Sequence, residues 1–128
     1  MKINDLTHTV IGICIKIHDK IGPGLFESVY EEVLCYELSK AGISFTRQEP
    51  INVYYDGVKM DVGFIADVIV EKRLILELKS VEKLMPVHYK QLQTYLKLTH
   101  IQVGLLINFN THYLKEGITR IVNNYVEE

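Results

Sequence analysis

Asp67, Glu77 and Lys79 are the residues of this chain whose types and spacing most suggest chemistry, and one stretch, FIADVIVEKRLILELK from Phe64 to Lys79, carries all of them. Two short runs rich in Val, Ile and Leu, Phe64 to Val70 and Leu74 to Lys79, are separated by the charged triplet Glu71, Lys72 and Arg73. That is the pattern of a β-hairpin with a short loop. Pairing Val70 with Leu74 sets Asp67 opposite Glu77 in antiparallel register. Alternation then puts Ile65, Asp67, Ile69, Ile75, Glu77 and Lys79 on one face, and Phe64, Ala66, Val68, Val70, Leu74, Leu76 and Leu78 on the other. Directly opposed residues have Cβ atoms roughly 4.5–5.5 Å apart, where like charges repel unless something positive lies between them. A divalent cation meets that need. Hard carboxylate oxygens suit Mg²⁺ or Mn²⁺, which keep several waters and also grip phosphate. Such an ion activates water and stabilises charge developing on a phosphate, and Lys79 is placed to position the water or neutralise the transition state. The same residues also allow a plainer reading, a buried salt bridge of Lys79 with Asp67 or Glu77. Three ionisable groups amid so much Ile and Leu are costly to bury without partners of one kind or the other.

The elements that must hold this hairpin follow from periodicity. Asn4 or Asp5 can cap a helix with Leu6, Val10, Ile13, Ile17 and Ile21 on its apolar stripe, and Gly22-Pro23-Gly24 forbids its continuation. A second helix is expected from about Leu25 to Lys40. Phe26, Val29, Tyr30, Val33, Leu34 and Leu38 trace its inward face, with Glu31, Glu32, Glu37 and Lys40 toward water. Glu27 lies beside that inward face in the first turn, where the helix dipole favours a negative charge. Ile43 to Gln48 and Ile51 to Tyr55 read as strands separated by Glu49-Pro50, and Asp56-Gly57 as a hairpin turn into Val58 to Val62. Pro86 to Leu98 reads as a helix with proline at its first position, and Ile101 to Phe109 as a strand buried on both faces. From about Lys115 to Val126 the spacing fits helix and strand equally well. This order fits an α/β sandwich with a mixed central sheet flanked by helices.

A length of 128 residues suits one domain. With 48% hydrophobic and 23% charged residues and no run long enough to cross a bilayer, a membrane protein is not expected. Asp5 and His8 interrupt the N-terminus where a signal peptide needs its apolar run, so a cytoplasmic location is expected. A formal charge of −2 gives no global attraction for nucleic acid, so any such binding must use a local patch such as Lys83, Lys90 and Lys97. Cys14 and Cys35 fall inside apolar helical patterns and are expected to be buried free thiols.

The order Asp67, a gap, then Glu77-Leu78-Lys79 resembles the D…(D/E)xK core of the PD-(D/E)XK nuclease superfamily, with Ala66 where the usual proline stands. Gln91 and Tyr95 resemble the Q-x-x-x-Y element of its exonuclease-like branch. Gly24-Leu25-Phe26-Glu27-Ser28-Val29-Tyr30 is similar to the signature of the small GxxExxY proteins. The resemblance runs from the first helix through the VGLLINF strand. It implies a restriction-endonuclease-like αβββαβ core and a Mg²⁺- or Mn²⁺-dependent nuclease acting on DNA. Asp67, Glu77 and Glu27 would bind metal and Lys79 would be catalytic, with Gln91 and Tyr95 touching substrate and His88, on the same helix face, joining them. Without the resemblance, Tyr95 is core, Gln91 caps a backbone group and His88 is solvated. The rival function is a non-enzymatic module that keeps the fold to bind nucleic acid or a protein partner. A homodimer is one way for so small a domain to span a duplex.

Overall fold

The computed structural model describes residues 1–128. Helices α1 (Ile3–Ile21) and α2 (Glu27–Lys40) lead into strand β1 (Phe45–Ile51), the small hairpin β2 (Tyr54–Tyr55) and β3 (Val58–Lys59), and the strand pair β4 (Phe64–Val70) and β5 (Leu74–Lys79). Helix α3 (Pro86–Thr99), strand β6 (Val103–Asn108), a 3₁₀ turn (Leu114–Gly117) and strand β7 (Ile118–Val122) complete the chain. One mixed five-stranded sheet has the order β1-β4-β5-β6-β7. Only β5 and β6 are parallel, and parallel neighbours need a crossover, which α3 supplies. The run α2, β1, β4, β5, α3, β6 is the restriction-endonuclease-like αβββαβ core expected from the sequence.

Helices α1 and α2 cover one face of the sheet, where Leu6, Val10, Tyr30 and Leu34 pack on Val68, Leu76, Leu78 and Leu105. Helix α3 covers the other through Leu92 and Leu96 against Ala66, Ile69, Ile75 and Leu106. Strands β5 and β6 lie between both layers, which is why their sequences are nearly unbroken Leu, Ile and Val. Cys14 and Cys35 are buried free thiols as expected, and burial pushes Cys14 up to about 12. No helix is long and apolar enough to cross a membrane.

Several local expectations are corrected. Strand β1 runs straight through Glu49-Pro50 instead of breaking there, because β1 is the edge of the sheet and a proline without an N–H is tolerated on an edge. The ambiguous tail is an edge strand, β7, antiparallel to β6. Phe26 does not pack inward: it precedes the first turn of α2 in extended conformation and is 83% exposed. Val29 is also exposed, so the buried stripe of α2 is rotated, and Glu31, expected to face water, is buried. The Asp56-Gly57 turn is as expected, both residues having positive φ (53° and 75°) between paired Tyr55 and Val58.

Candidate active site

The hairpin register is the one expected, Val70 with Leu74, Ile69 with Ile75 and Val68 with Leu76, so the next pair would be Asp67 with Glu77. At that point the ladder stops and side chains take over its hydrogen bonds. The Leu78 N–H donates to Asp67 Oδ2 at 2.9 Å, and the Asp67 N–H donates to Glu77 Oε1 at 3.4 Å. Each carboxylate thus caps the backbone of the opposite strand, which anchors both where the two strands part.

The expected division of faces fails on β4, and the failure involves Asp67. Val68 and Val70 pack toward α1 and α2, but Ala66 packs under α3, and Phe64 stacks on Tyr95 with ring centroids 4.0 Å apart. Phe64 and Ala66 therefore lie on the α3 face with Ile69 and Ile75, while Ile65 is 55% exposed. Alternation slips by one position at Asp67. Opposite it, between the pairs Arg47–Val68 and Glu49–Ala66, Gln48 has a left-handed backbone with φ 51°. The pairs on either side of Gln48 keep one residue opposite one, so the chain turns here without the extra residue of a bulge.

Glu77 is only 6% exposed. Burial, then the neighbouring charge of Asp67, pushes its carboxyl up to about 9, with Lys79 pulling weakly the other way. Glu77 therefore keeps its proton at neutral pH in the free protein. Lys79 follows on the same strand, half-buried, with its carbonyl accepting from the Phe109 N–H at 2.9 Å. It forms no ion pair with Asp67 or Glu77, so the plainer salt-bridge reading is not what the structure contains.

Glu27, at the start of α2, accepts from the Ser80 N–H at 3.2 Å, and the Ser80 hydroxyl donates to the Leu25 carbonyl at 2.6 Å. The loop before α2 is thereby fastened to the end of β5, one residue beyond Lys79. Tyr30 fixes the same loop from beneath. Its hydroxyl donates to the Gly22 carbonyl at 2.7 Å and accepts from the Leu25 N–H at 3.2 Å, while its ring stacks on Phe109. Gly24 has φ 93°, a conformation side chains disfavour, which explains the glycine. Tyr30→Phe leaves two backbone groups without their partner and should lower stability by about 1–3 kcal/mol. A denaturant midpoint equal to that of the parent would show the loop to be held by other contacts.

Glu27, Ser28, Glu31, Gln48, Asp67 and Leu78 line a cleft of about 330 Å³ between α2 and the sheet. A larger cavity, about 570 Å³, lies beside the C-terminal end of α3 and includes neither Asp67 nor Glu77. Asp67 and Glu77 fit a small hard cation, since both offer hard carboxylate oxygens and the proton held by buried Glu77 is one such an ion would replace. No group of three or more His, Cys, Asp and Glu side chains is gathered at ligand spacing. Glu27, expected as a third ligand, accepts from the Ser80 N–H and is not gathered with Asp67 and Glu77 at ligand spacing, so an ion held by those two carboxylates would take its remaining ligands from water and substrate oxygens.

On α3, Gln91 is exposed and Tyr95 half-buried against Phe64. The Tyr95 phenol is raised by burial, with the charges of Glu77 and Asp67 adding to the effect, so it stands within reach of their field. His88 is not simply solvated: its Nδ1 accepts from the Met85 N–H at 2.9 Å and closes the first turn of α3. Sequence reasoning missed Glu31, Gln48 and Asn108. Asn108, 2% exposed, holds both backbone groups of Val81 in the segment after Lys79. An asparagine inside an apolar strand was the available signal, since buried amides are nearly always engaged.

A family model for the PD-(D/E)XK nuclease superfamily matches residues 4–121. Among solved structures, the chain is similar to the crystal structure of SSO0001, with 20% identity and a TM-score of 0.52 over 78% of this chain and 50% of that one. The chain thus spans half the length of that protein, and the likeness is one of fold. Comparison with curated proteins returns no match. With the family match covering nearly all of the chain, and the Asp67, Glu77 and Lys79 core held on β4 and β5 where the strands part, the chain belongs to the PD-(D/E)XK nuclease superfamily.

Proposed function

We propose that the protein is a Mg²⁺- or Mn²⁺-dependent nuclease that hydrolyses phosphodiester bonds in DNA. The observation that carries this reading is the Asp67–Glu77 pair, anchored where β4 and β5 part, with Glu77 pushed up to about 9 by burial and by Asp67. A divalent cation bound by these two residues would supply water activation and stabilisation of charge on the phosphate. Lys79 orients the attacking water and offsets charge developing on the phosphate oxygens. Glu27 and Ser80 keep the end of β5 in place around it. Gln91 and Tyr95 contact the substrate from α3, and Lys83, Lys90 and Lys97, all exposed, are the cations available for phosphate contacts in that part of the chain. The same reading assigns the chain to the GxxExxY proteins, supported by the separate tasks of Gly24, Glu27 and Tyr30.

Incubation with labelled single- and double-stranded DNA, and with RNA of the same sequence, tests the proposal. Cleavage should require Mg²⁺ or Mn²⁺, stop with chelator and vanish in Asp67→Ala. A wild-type protein that cuts nothing, or an Asp67→Ala variant that still cuts, overturns it, and cleavage confined to RNA overturns the choice of DNA.

A further inference from the structure

We propose that Gln48 is a positioning residue for Asp67: its side-chain amide holds the Asp67 carboxylate at the mouth of the site and ties it to α2 through Glu31. Its consequence for metal binding rests on the function proposed above, but the placement of Asp67 does not.

Three observations converge on Gln48. Its backbone has φ 51° within β1, although Arg47 and Glu49 on either side pair regularly with β4. Left-handed backbone at a non-glycine residue is disfavoured and persists where its surroundings hold it, often at functional sites. The position opposite is Asp67, where the alternation of β4 slips, so the two departures from regular strand geometry face each other. The result is a bridge: Gln48 Nε2 lies 3.4 Å from Asp67 Oδ1 and 2.5 Å from Glu31 Oε1.

The bridge has a fixed far end. Glu31 is 7% exposed and receives Arg47 Nε at 2.7 Å, and Arg47 also reaches Glu32 at 2.9 Å. A primary amide suits the middle position for a chemical reason. Its two N–H donors serve two carboxylates at once, and it carries no charge. Lysine or arginine there would pair with Asp67 and oppose a cation, while glutamate would add a further negative group. With Leu78 donating to Oδ2 and Gln48 to Oδ1, both oxygens of Asp67 are oriented. Partners behind a metal ligand of this kind typically govern affinity by 10–100-fold.

Gln48→Gly removes the amide while accepting the left-handed backbone, and Gln48→Ala checks the same loss with a Cβ present. The first readout is metal-free: hydrogen exchange of the Leu78 amide, which donates to Asp67 Oδ2. Loosening Asp67 should speed that exchange about 10-fold in Gln48→Gly while other core amides keep their protection. The second is Mn²⁺ affinity by calorimetry without DNA, expected to fall about 10–100-fold. Glu32→Gln, which cuts only the exposed arm of Arg47, should alter neither. Leu78 protection that does not change in Gln48→Gly overturns the proposal, whatever happens to Mn²⁺ affinity. Faster Leu78 exchange in a protein whose wild type binds no Mn²⁺ upholds the positioning of Asp67 and overturns the metal-dependent function instead.

Discussion

Lys79→Ala should lower the rate of DNA cleavage by about 10²–10³-fold while leaving Mn²⁺ affinity nearly unchanged. Removing one preorganised charge or donor aimed at a developing oxyanion typically costs that much in turnover. The separation of the two readouts follows from how Lys79 is held. Its position on β5 is fixed by backbone, through parallel pairing with Asn108 and the hydrogen bond from Phe109, and not by its ammonium group. Because Lys79 takes part in no ion pair, truncation strands no buried partner, and the fold should survive it. Loss of a nearby positive charge leaves the Asp67–Glu77 pair at least as receptive to a cation. Steady-state cleavage and calorimetry on the same preparation decide the matter. Unchanged turnover would remove Lys79 from the chemistry, and equal losses of turnover and Mn²⁺ affinity would make its role structural.

The parts of this site legible in sequence are those set by local pattern. The Val70–Leu74 register, the Asp56-Gly57 turn, the proline-led start of α3 and the doubly buried β6 all follow from alternation, turn chemistry and apolar runs. What escaped depends on which neighbour an element meets. The slip of alternation at Asp67 is written in the backbone of Gln48, a residue with no sequence mark of left-handed conformation, and only the pairing of β1 with β4 brings the two together. Glu31 reads as solvated because acids on helices usually are. It is buried instead, because on the edge strand Arg47 supplies the charge and Arg47 and Gln48 the hydrogen bonds that burial requires. Pro50 suggested a break, but a proline ends a strand only when both sides are paired, and β1 has one partner. In each case the local rule was overridden by a tertiary contact. Three of the residues concerned, Glu31, Gln48 and Asp67, line the same cleft. Concentration of such departures around one cavity is what a site selected for chemistry, and not for regularity, should produce.

Glu77→Gln should stabilise the metal-free protein at alkaline pH and abolish its ability to bind Mn²⁺. In the folded chain burial and Asp67 push Glu77 up to about 9, from an ordinary value of 4.5. Between those two values the folded state carries a proton that the unfolded state has released. The stability associated with neutral Glu77 is therefore complete below pH 4.5 and is lost as pH rises toward 9, with a limiting slope of about 1.4 kcal/mol per pH unit. Glutamine has nearly the shape of the protonated acid, cannot ionise and can still donate to Asp67. The variant should follow the wild type near pH 5 and exceed it by a few kcal/mol at pH 8, measured as denaturant midpoints in chelator. Mn²⁺ reverses the order. To bind it, the wild type must give up the Glu77 proton, so affinity should rise with pH, and calorimetry in buffers of different ionisation heats should register release of about one proton. The Glu77→Gln variant offers no second carboxylate and should show neither heat nor proton release. A wild-type stability that is flat from pH 5 to 9 would mean that Glu77 is already ionised in the free protein. The opposite result, a metal-free protein weakened by the charge its metal requires, places the Asp67–Glu77 pair among sites where stability is lost to function.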